Sequence, residues 1–264
     1  MNKPKISLVT CTYFRPDLLY RTIQSVQKQT FEDYEHIIVS DHCPFAEHVY
    51  NEFKQDKRIR FIKNTNEYIY NLGACSFNIG IEAARSDYIS YVLDDDILYS
   101  NHLQAHYNGL LEDVEWFHTS YDNIEFKEPH NTVRNILSIN FKEIYERALE
   151  IRKRDGALPR NYDVGSLCHK KSISLRWTPQ EQLGSSWEDT AFMNKLGVNG
   201  KNSEYTSVKV NWGGIHRKKT KGLDQEYYDL LMNKLKEDKR CYANYKLIDQ
   251  PFVFPELKNT LYEK

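Results

Sequence analysis

An α/β fold with a mostly parallel central sheet is predicted, because short strand-like runs alternate with helix-patterned segments through about residue 100. A second observation locates the working end of that sheet. The apolar run Tyr88-Ile89-Ser90-Tyr91-Val92-Leu93 stops abruptly at Asp94, Asp95 and Asp96. Open α/β sheets bind ligands beyond the carboxyl ends of their strands, which is where this acidic cluster falls.

Each element of the first half follows from local pattern. Ile6 to Thr10 reads as a first strand. Residues 17–29 place Leu18, Leu19, Ile23 and Val26 at helical spacing, and Pro16 suits a helix start. His36 to Val39 is a second strand ending at Ser40-Asp41, a helix covers 47–54, and Ile59 to Ile62 is a third strand. Residues 73–84 read as a helix and 88–93 as the fourth strand. The second half is less regular. It offers a helix at 102–111, a strand at 116–121, a helix at 144–154 and a Gly/Pro-containing loop at 155–161. A strand at 164–169, a short helix at 189–196, a strand at 207–212 and an amphipathic helix at 225–239 follow. No repeat, low-complexity tract or linker interrupts the chain, so one continuous domain is expected.

The 264 residues can form one large core, and a hydrophobic content of 40% can fill it. Lys and Arg number 36 against 37 Asp and Glu, so no bulk positive field points to nucleic acid. The 19 Tyr and 12 Phe suit grooves for rings or sugars, and equally an ordinary core. Cys11, Cys43, Cys75, Cys168 and Cys241 are odd in number, widely spaced and without a CxxC pair. Neither a disulfide framework nor a zinc site is indicated, and a reducing compartment fits. Met1 to Lys5 lead directly into the first strand pattern, and no apolar run approaches the ~20 residues of a membrane span. A soluble, cytoplasmic protein without a transmembrane segment is expected.

Adjacent carboxylates repel one another unless water screens them or a hard divalent ion, which prefers oxygen ligands, neutralises them. Taken alone, Asp94-Asp95-Asp96 could be a solvated acidic turn. Its position at the end of a buried strand favours an ion site.

Together these segments resemble the family 2 glycosyltransferases of the GT-A fold. The first strand leads into Thr12-Tyr13-Phe14-Arg15-Pro16 and a helix ending near Gln29-Thr30, as in that family. Where the family has Asp-Asp-Gly-Ser, this chain has Ser40-Asp41-His42-Cys43. The helix signature Gly-x-x-x-Ala-Arg-Asn-x-Gly appears as Gly73 to Gly80, with Asn78 and Gly80 matching and Phe77 where Arg is common. Asp94-Asp95-Asp96 matches the Asp-x-Asp metal motif, and Trp187-Glu188-Asp189 looks like the acidic pair of the acceptor side.

The resemblance implies an inverting, metal-dependent transfer of a sugar from a nucleotide-diphosphate donor, UDP-sugar first, to a hydroxyl of a glycan or glycolipid acceptor. Thr10, Cys11, Thr12, Tyr13, Arg15, Asp41, Asn78 and Asp94 would line the nucleotide pocket, Asp94 facing the ribose. Asp41 would accept the imide N–H of the base; read alone, it is equally a loop-capping residue. Asp95 or Asp96, with His216, would ligate Mn2+ or Mg2+. Asp189 would be the general base, with Glu188 its substitute, although acids are also favoured at a helix N-terminus by the helix dipole. His216, Arg217 and Lys218, in a basic run flanked by glycines, would face the diphosphate, against a plain reading as solvated surface. On this view residues to about 100 bind the nucleotide-sugar, about 101–222 bind the acceptor and catalyse, and about 223–264 form a helical extension. Peripheral membrane contact and homo-oligomerisation stay open, and no nucleic-acid partner is expected.

Two rival enzymes fit less well. A nucleotidyltransferase would carry a Gly-rich basic loop after the first strand, and Thr10 to Pro16 contains no Gly. The same turn lacks the GxGxxG of a dinucleotide-dependent oxidoreductase. A non-catalytic sugar-nucleotide or glycan binder of the same fold is the remaining alternative, and it would release no sugar from a UDP-sugar.

Overall fold

The structure, a computed structural model, describes residues 2–13, 16–43, 45–66, 73–125, 164–178 and 188–211. Its strands are β1 (Ile6–Thr12), β2 (Tyr34–Ser40), β3 (Ile59–Lys63), β4 (Tyr88–Tyr91), β5 (Trp116–Glu125), β6 (Leu167–Lys170) and β7 (Gly200–Asn211). The helices are α1 (Pro16–Gln27), α2 (Ala46–Phe53), α3 (Ala74–Ala83), α4 (His102–Leu110) and α5 (Glu188–Met193). All seven strands join one sheet in the order β3-β2-β1-β4-β6-β5-β7.

From β1 the chain winds outward through β2 to β3, then crosses back to place β4 on the other side of β1, all four strands parallel. The direction of winding therefore reverses between β1 and β4, and this reversal opens a crevice at their carboxyl ends. Beyond β4 the sheet is mixed, with β6 antiparallel to both β4 and β5, and β7 parallel to β5.

Every residue of β1 and β2 is buried, as expected of central parallel strands covered on both faces. Alternation sorts their side chains. Val9, Cys11, Ile37 and Val39 pack in the cluster that includes α3, whereas Ile38 packs with Leu19 and Ile23 of α1 and Val49 of α2. Gly80 explains how close α3 comes to the sheet, since a Cβ there would lie 2.3 Å from Val9 Cγ1. At the amino end of the sheet, fully buried Glu35 accepts hydrogen bonds from Ser7 Oγ (2.6 Å), the Arg85 backbone N–H (2.7 Å), Arg85 Nε (2.9 Å) and Arg60 Nη1 (2.7 Å). Burial alone would raise its pKa, but these donors hold the carboxyl below the usual range.

Among the boundaries that differ from the sequence reading, three have plain physical reasons. The expected strand at 164–169 opens instead as a buried 3-10 turn, Val164–Ser166, and pairs only from Leu167. There the Ser166 carbonyl accepts bonds from His106 Nε2 (3.0 Å) and Thr119 Oγ1 (3.4 Å) rather than from a neighbouring strand. β4 ends at Tyr91 because, after the Val92 N–H bonds to the Val9 carbonyl, the chain turns, closed by Asp96 N–H to Leu93 O at 3.1 Å. β7 begins at Gly200, well before the expected residue 207, because β5 pairs with its polar first half as well. The helices read at 144–154 and 225–239 and the loop at 155–161 lie outside the described residues.

Candidate active site

The exit of β1 organises the crevice. Thr12 O accepts the Asp41 backbone N–H at 2.9 Å, and the next residue, Tyr13, donates its backbone N–H to Asp94 Oδ2 at 3.4 Å. One dipeptide thus ties together the first residue beyond β2 and the acidic turn beyond β4.

Asp41 is only 3% exposed, and its surroundings are polar. Ser76 Oγ (3.0 Å) and Asn64 Nδ2 (3.3 Å) both donate to its Oδ1, and His42 Nδ1 lies 3.4 Å from the same oxygen. Oδ2 takes no partner among the described residues. The carboxylate is therefore clamped through one oxygen and presents the other. His42 adopts a left-handed backbone (φ 58°) at the position where the family signature has Gly, and its Nε2 bonds to Asn66 O at 2.8 Å. Gly73, which precedes α3, has φ 97°, and a Cβ there would lie 2.8 Å from Cys11 Sγ, so the entry to α3 passes directly over the end of β1.

The other residues assigned to the nucleotide pocket divide into two groups. Thr12 is buried with its hydroxyl lacking a hydrogen-bond partner among the described residues, Cys11 packs beneath Gly73, and Tyr13 is half-buried. Thr10 and Asn78 also make hydrogen bonds within the framework. Thr10 Oγ1 bonds to His36 Nε2 at 2.8 Å inside the sheet. The Asn78 carboxamide is engaged at both ends by one backbone: Trp177 N–H donates to Oδ1 (2.8 Å), and Nδ2 donates to Trp177 O (3.0 Å). Arg15, His216, Arg217 and Lys218 lie outside the described residues.

In the acidic turn, Asp94 and Asp96 are nearly buried and Asp95 is half-exposed. Thr22 of α1 fixes the turn by donating its hydroxyl to Asp96 O at 2.8 Å. Among the described residues no group of three or more His, Cys, Asp or Glu side chains could hold a metal ion by itself. The donor set nevertheless fits an ion of the Mg2+ type, which is commonly bound through one or two carboxylates together with substrate phosphates.

α5 packs on the face of the sheet that α3 covers. Asp189 is its second residue and is exposed, while Phe192 is fully buried against Trp177 with ring centroids 4.5 Å apart. Glu188 opens the helix. Phe192 also meets Tyr91, the last residue of β4, at 5.8 Å. Sequence reasoning singled out Asp41 but not the hydrogen bonds it accepts from Asn64 and Ser76, nor the approach of His42. Only His42, one residue from the motif, carried a local signal.

The reversal point of a wound parallel sheet, with Asp41 beyond β2 and an acidic turn beyond β4, is where open α/β sheets commonly bind ligands. The chain belongs to glycosyl transferase family 2, whose family model matches residues 7–175. An uncharacterised glycosyltransferase of Methanocaldococcus jannaschii is 35% identical over 158 residues, 54% of this chain and 53% of that protein. The GalNAc(5)-diNAcBac-PP-undecaprenol beta-1,3-glucosyltransferase of Campylobacter jejuni is 36% identical over 106 residues, 39% of this chain and 33% of that protein. The matches thus span about half of the first relative's length and a third of the second's. Among solved structures, Staphylococcus aureus TarS with UDP-GlcNAc has a TM-score of 0.59 at 12% identity, covering 92% of this chain and 70% of that one. The mannosyltransferase PcManGT of Pyrobaculum calidifontis, in complex with GDP-Man and Mn2+, gives 0.50 at 12% identity, covering 94% and 68%. These likenesses show the GT-A fold that the family resemblance implied.

Among the described residues, Cys11, Cys43, Cys75 and Cys168 form no disulfide, and no helix is long and apolar enough to cross a membrane.

Proposed function

We propose that the chain transfers a sugar, with inversion, from a nucleotide-diphosphate donor to a hydroxyl of a glycan or glycolipid acceptor, with a UDP-sugar as the favoured donor. The observation that carries this reading is the Asp41 clamp at the β1 exit, which leaves Oδ2 to accept the imide N–H of a pyrimidine. Asp94, bonded to the Tyr13 N–H beside it, is assigned to the ribose. The UDP-GlcNAc in TarS and the PP-undecaprenol acceptor in the name of the Campylobacter relative support the donor and acceptor classes.

Asp95 and Asp96 would hold a divalent ion, Mn2+ or Mg2+, in line with the Mn2+ in the mannosyltransferase complex. When bound, such an ion would draw charge from the diphosphate leaving group. Asp189 takes the proton of the acceptor hydroxyl as its oxygen attacks the anomeric carbon, and Glu188 flanks it. His216, Arg217 and Lys218 keep the diphosphate role that their charge suggests. We assign the chain to one GT-A unit with its donor half before about residue 100 and its acceptor half after it.

Asp41→Ala should weaken UDP binding by ~1 to 3 kcal/mol, the usual range for losing a charge-assisted hydrogen bond. Calorimetry with UDP and with ribose 5-diphosphate checks this. An equal loss for both ligands would show that Asp41 does not read the base.

A further inference from the structure

We infer that Trp177 is a positioning residue that fixes α5, and with it Asp189, against the donor side of the sheet; this rests on the assignment of Asp189 as the base. With six residues, α5 is too short to hold itself, so tertiary contacts must set its place. Among its described side chains the fully buried one is Phe192, three residues and nearly one turn beyond Asp189. Whatever places Phe192 therefore places Asp189.

Trp177 provides that contact. Its indole is 5% exposed and lies between two parallel rings, Phe77 of α3 and Phe192 of α5, each with centroids 4.5 Å away and planes within 14°. Tyr91 meets all three edge-on: Phe77 at 5.8 Å, Trp177 at 6.1 Å and Phe192 at 5.8 Å. Tyr91 lies three residues before Asp94, so the same stack touches the strand that carries the acidic turn. The Trp177 backbone cannot slide, because both its N–H and its carbonyl are held by Asn78. Lys195, two residues beyond α5, closes the arrangement by donating to Arg176 O (2.7 Å) and Thr178 Oγ1 (2.6 Å).

A reacting group displaced by about 1 Å can lose about 10²-fold in rate, so loosening this stack should act on turnover rather than on donor binding. The test measures sugar transfer to water from UDP-GlcNAc, UDP-glucose and GDP-mannose with Mn2+, using the fastest donor for every variant, alongside UDP affinity by calorimetry. Trp177→Ala should lower kcat by about tenfold or more with donor KM and UDP affinity within about twofold, and Trp177→Phe, which restores a stacked ring, should recover most of the loss. In an Asp189→Asn background Trp177→Ala should add less than about twofold, because the group it positions is gone. If Trp177→Ala does not fold, Phe192→Leu loosens the same stack and completes the same cycle. A double variant that loses the full product of the two single effects, while Asp189→Asn alone is impaired, would overturn the positioning role and leave the base assignment standing. Near-normal turnover in Asp189→Asn alone would instead overturn the base assignment itself.

Discussion

Asp189→Asn is expected to lower sugar transfer by about 10²-fold or more while leaving UDP affinity within about twofold of the parent. A base acts on the acceptor hydroxyl and not on the nucleotide, so binding and chemistry should separate. The amide matches the carboxylate in size, and the side chain is exposed in the first turn of α5, so packing of Phe192 against Trp177 should survive the change. A carboxylate on the face opposite the leaving group supports a single displacement, so the product anomer should be inverted relative to the donor. Product NMR and steady-state kinetics together check this. Retained configuration, or near-normal turnover in Asp189→Asn with loss in Glu188→Gln, would require another base or another mechanism.

The second large effect expected is acid lability. His36, His102, His106 and His169 are all buried, and exclusion of the charged ring from water pushes each pKa down: to about 3 for His36 and His102, about 4 for His169, and well below the ordinary value for His106. Neither nitrogen of His102 has a hydrogen-bond partner among the described residues, and its ring lies 4.0 Å from that of His106, so two imidazolium ions there would also repel. The folded values lie below the unfolded value near 6.5, so the fold favours the neutral rings. Their contribution is complete above pH 6.5 and is lost as pH falls toward 3 to 4. Each such ring removes up to about 1.4 kcal/mol per pH unit in that window, so the three with stated values together remove about 6 kcal/mol at pH 5. That is comparable to the whole stability of a typical domain, about 5 to 15 kcal/mol. Glu35 adds in the same direction at lower pH, since its depressed pKa stabilises the fold above the unfolded carboxyl value and is lost as pH falls through the folded one. Urea midpoints should therefore drop sharply between pH 7 and pH 5.5, and His102→Phe should flatten the slope. Equal midpoints at the two pH values would contradict this account.

The parallel half was legible because its signals are local. The short strand-like runs of β1 and β2, helical spacing in α1 and an apolar run stopped by three Asp each need only a short window of sequence. The Asp41 clamp was not, because Asn64 and Ser76 reach it from 23 and 35 residues away, from the exit of β3 and from α3. Asn78 was legible as a motif residue but not in its partner, Trp177, 99 residues further on. The late start of β6 has the same origin. The run from Val164 to His169 reads as one strand, but side chains of α4 and β5 claim the Ser166 carbonyl, and nothing within the segment announces them. β7 was read too short because Lys201-Asn202-Ser203-Glu204 is polar, and its early start rests on the pairing of Lys201 and Asn202 with Phe117 and His118 of β5.

The claim that the crevice between β1 and β4 binds a nucleotide diphosphate with an ion at the acidic turn is tested most directly by titrating UDP calorimetrically in Mn2+ and again in EDTA. The parent chain should bind UDP in Mn2+ and lose most of that affinity in EDTA, and Asp95→Ala/Asp96→Ala, still folded, should bind weakly in both. An unchanged UDP affinity of the parent chain in EDTA would contradict the ion assignment.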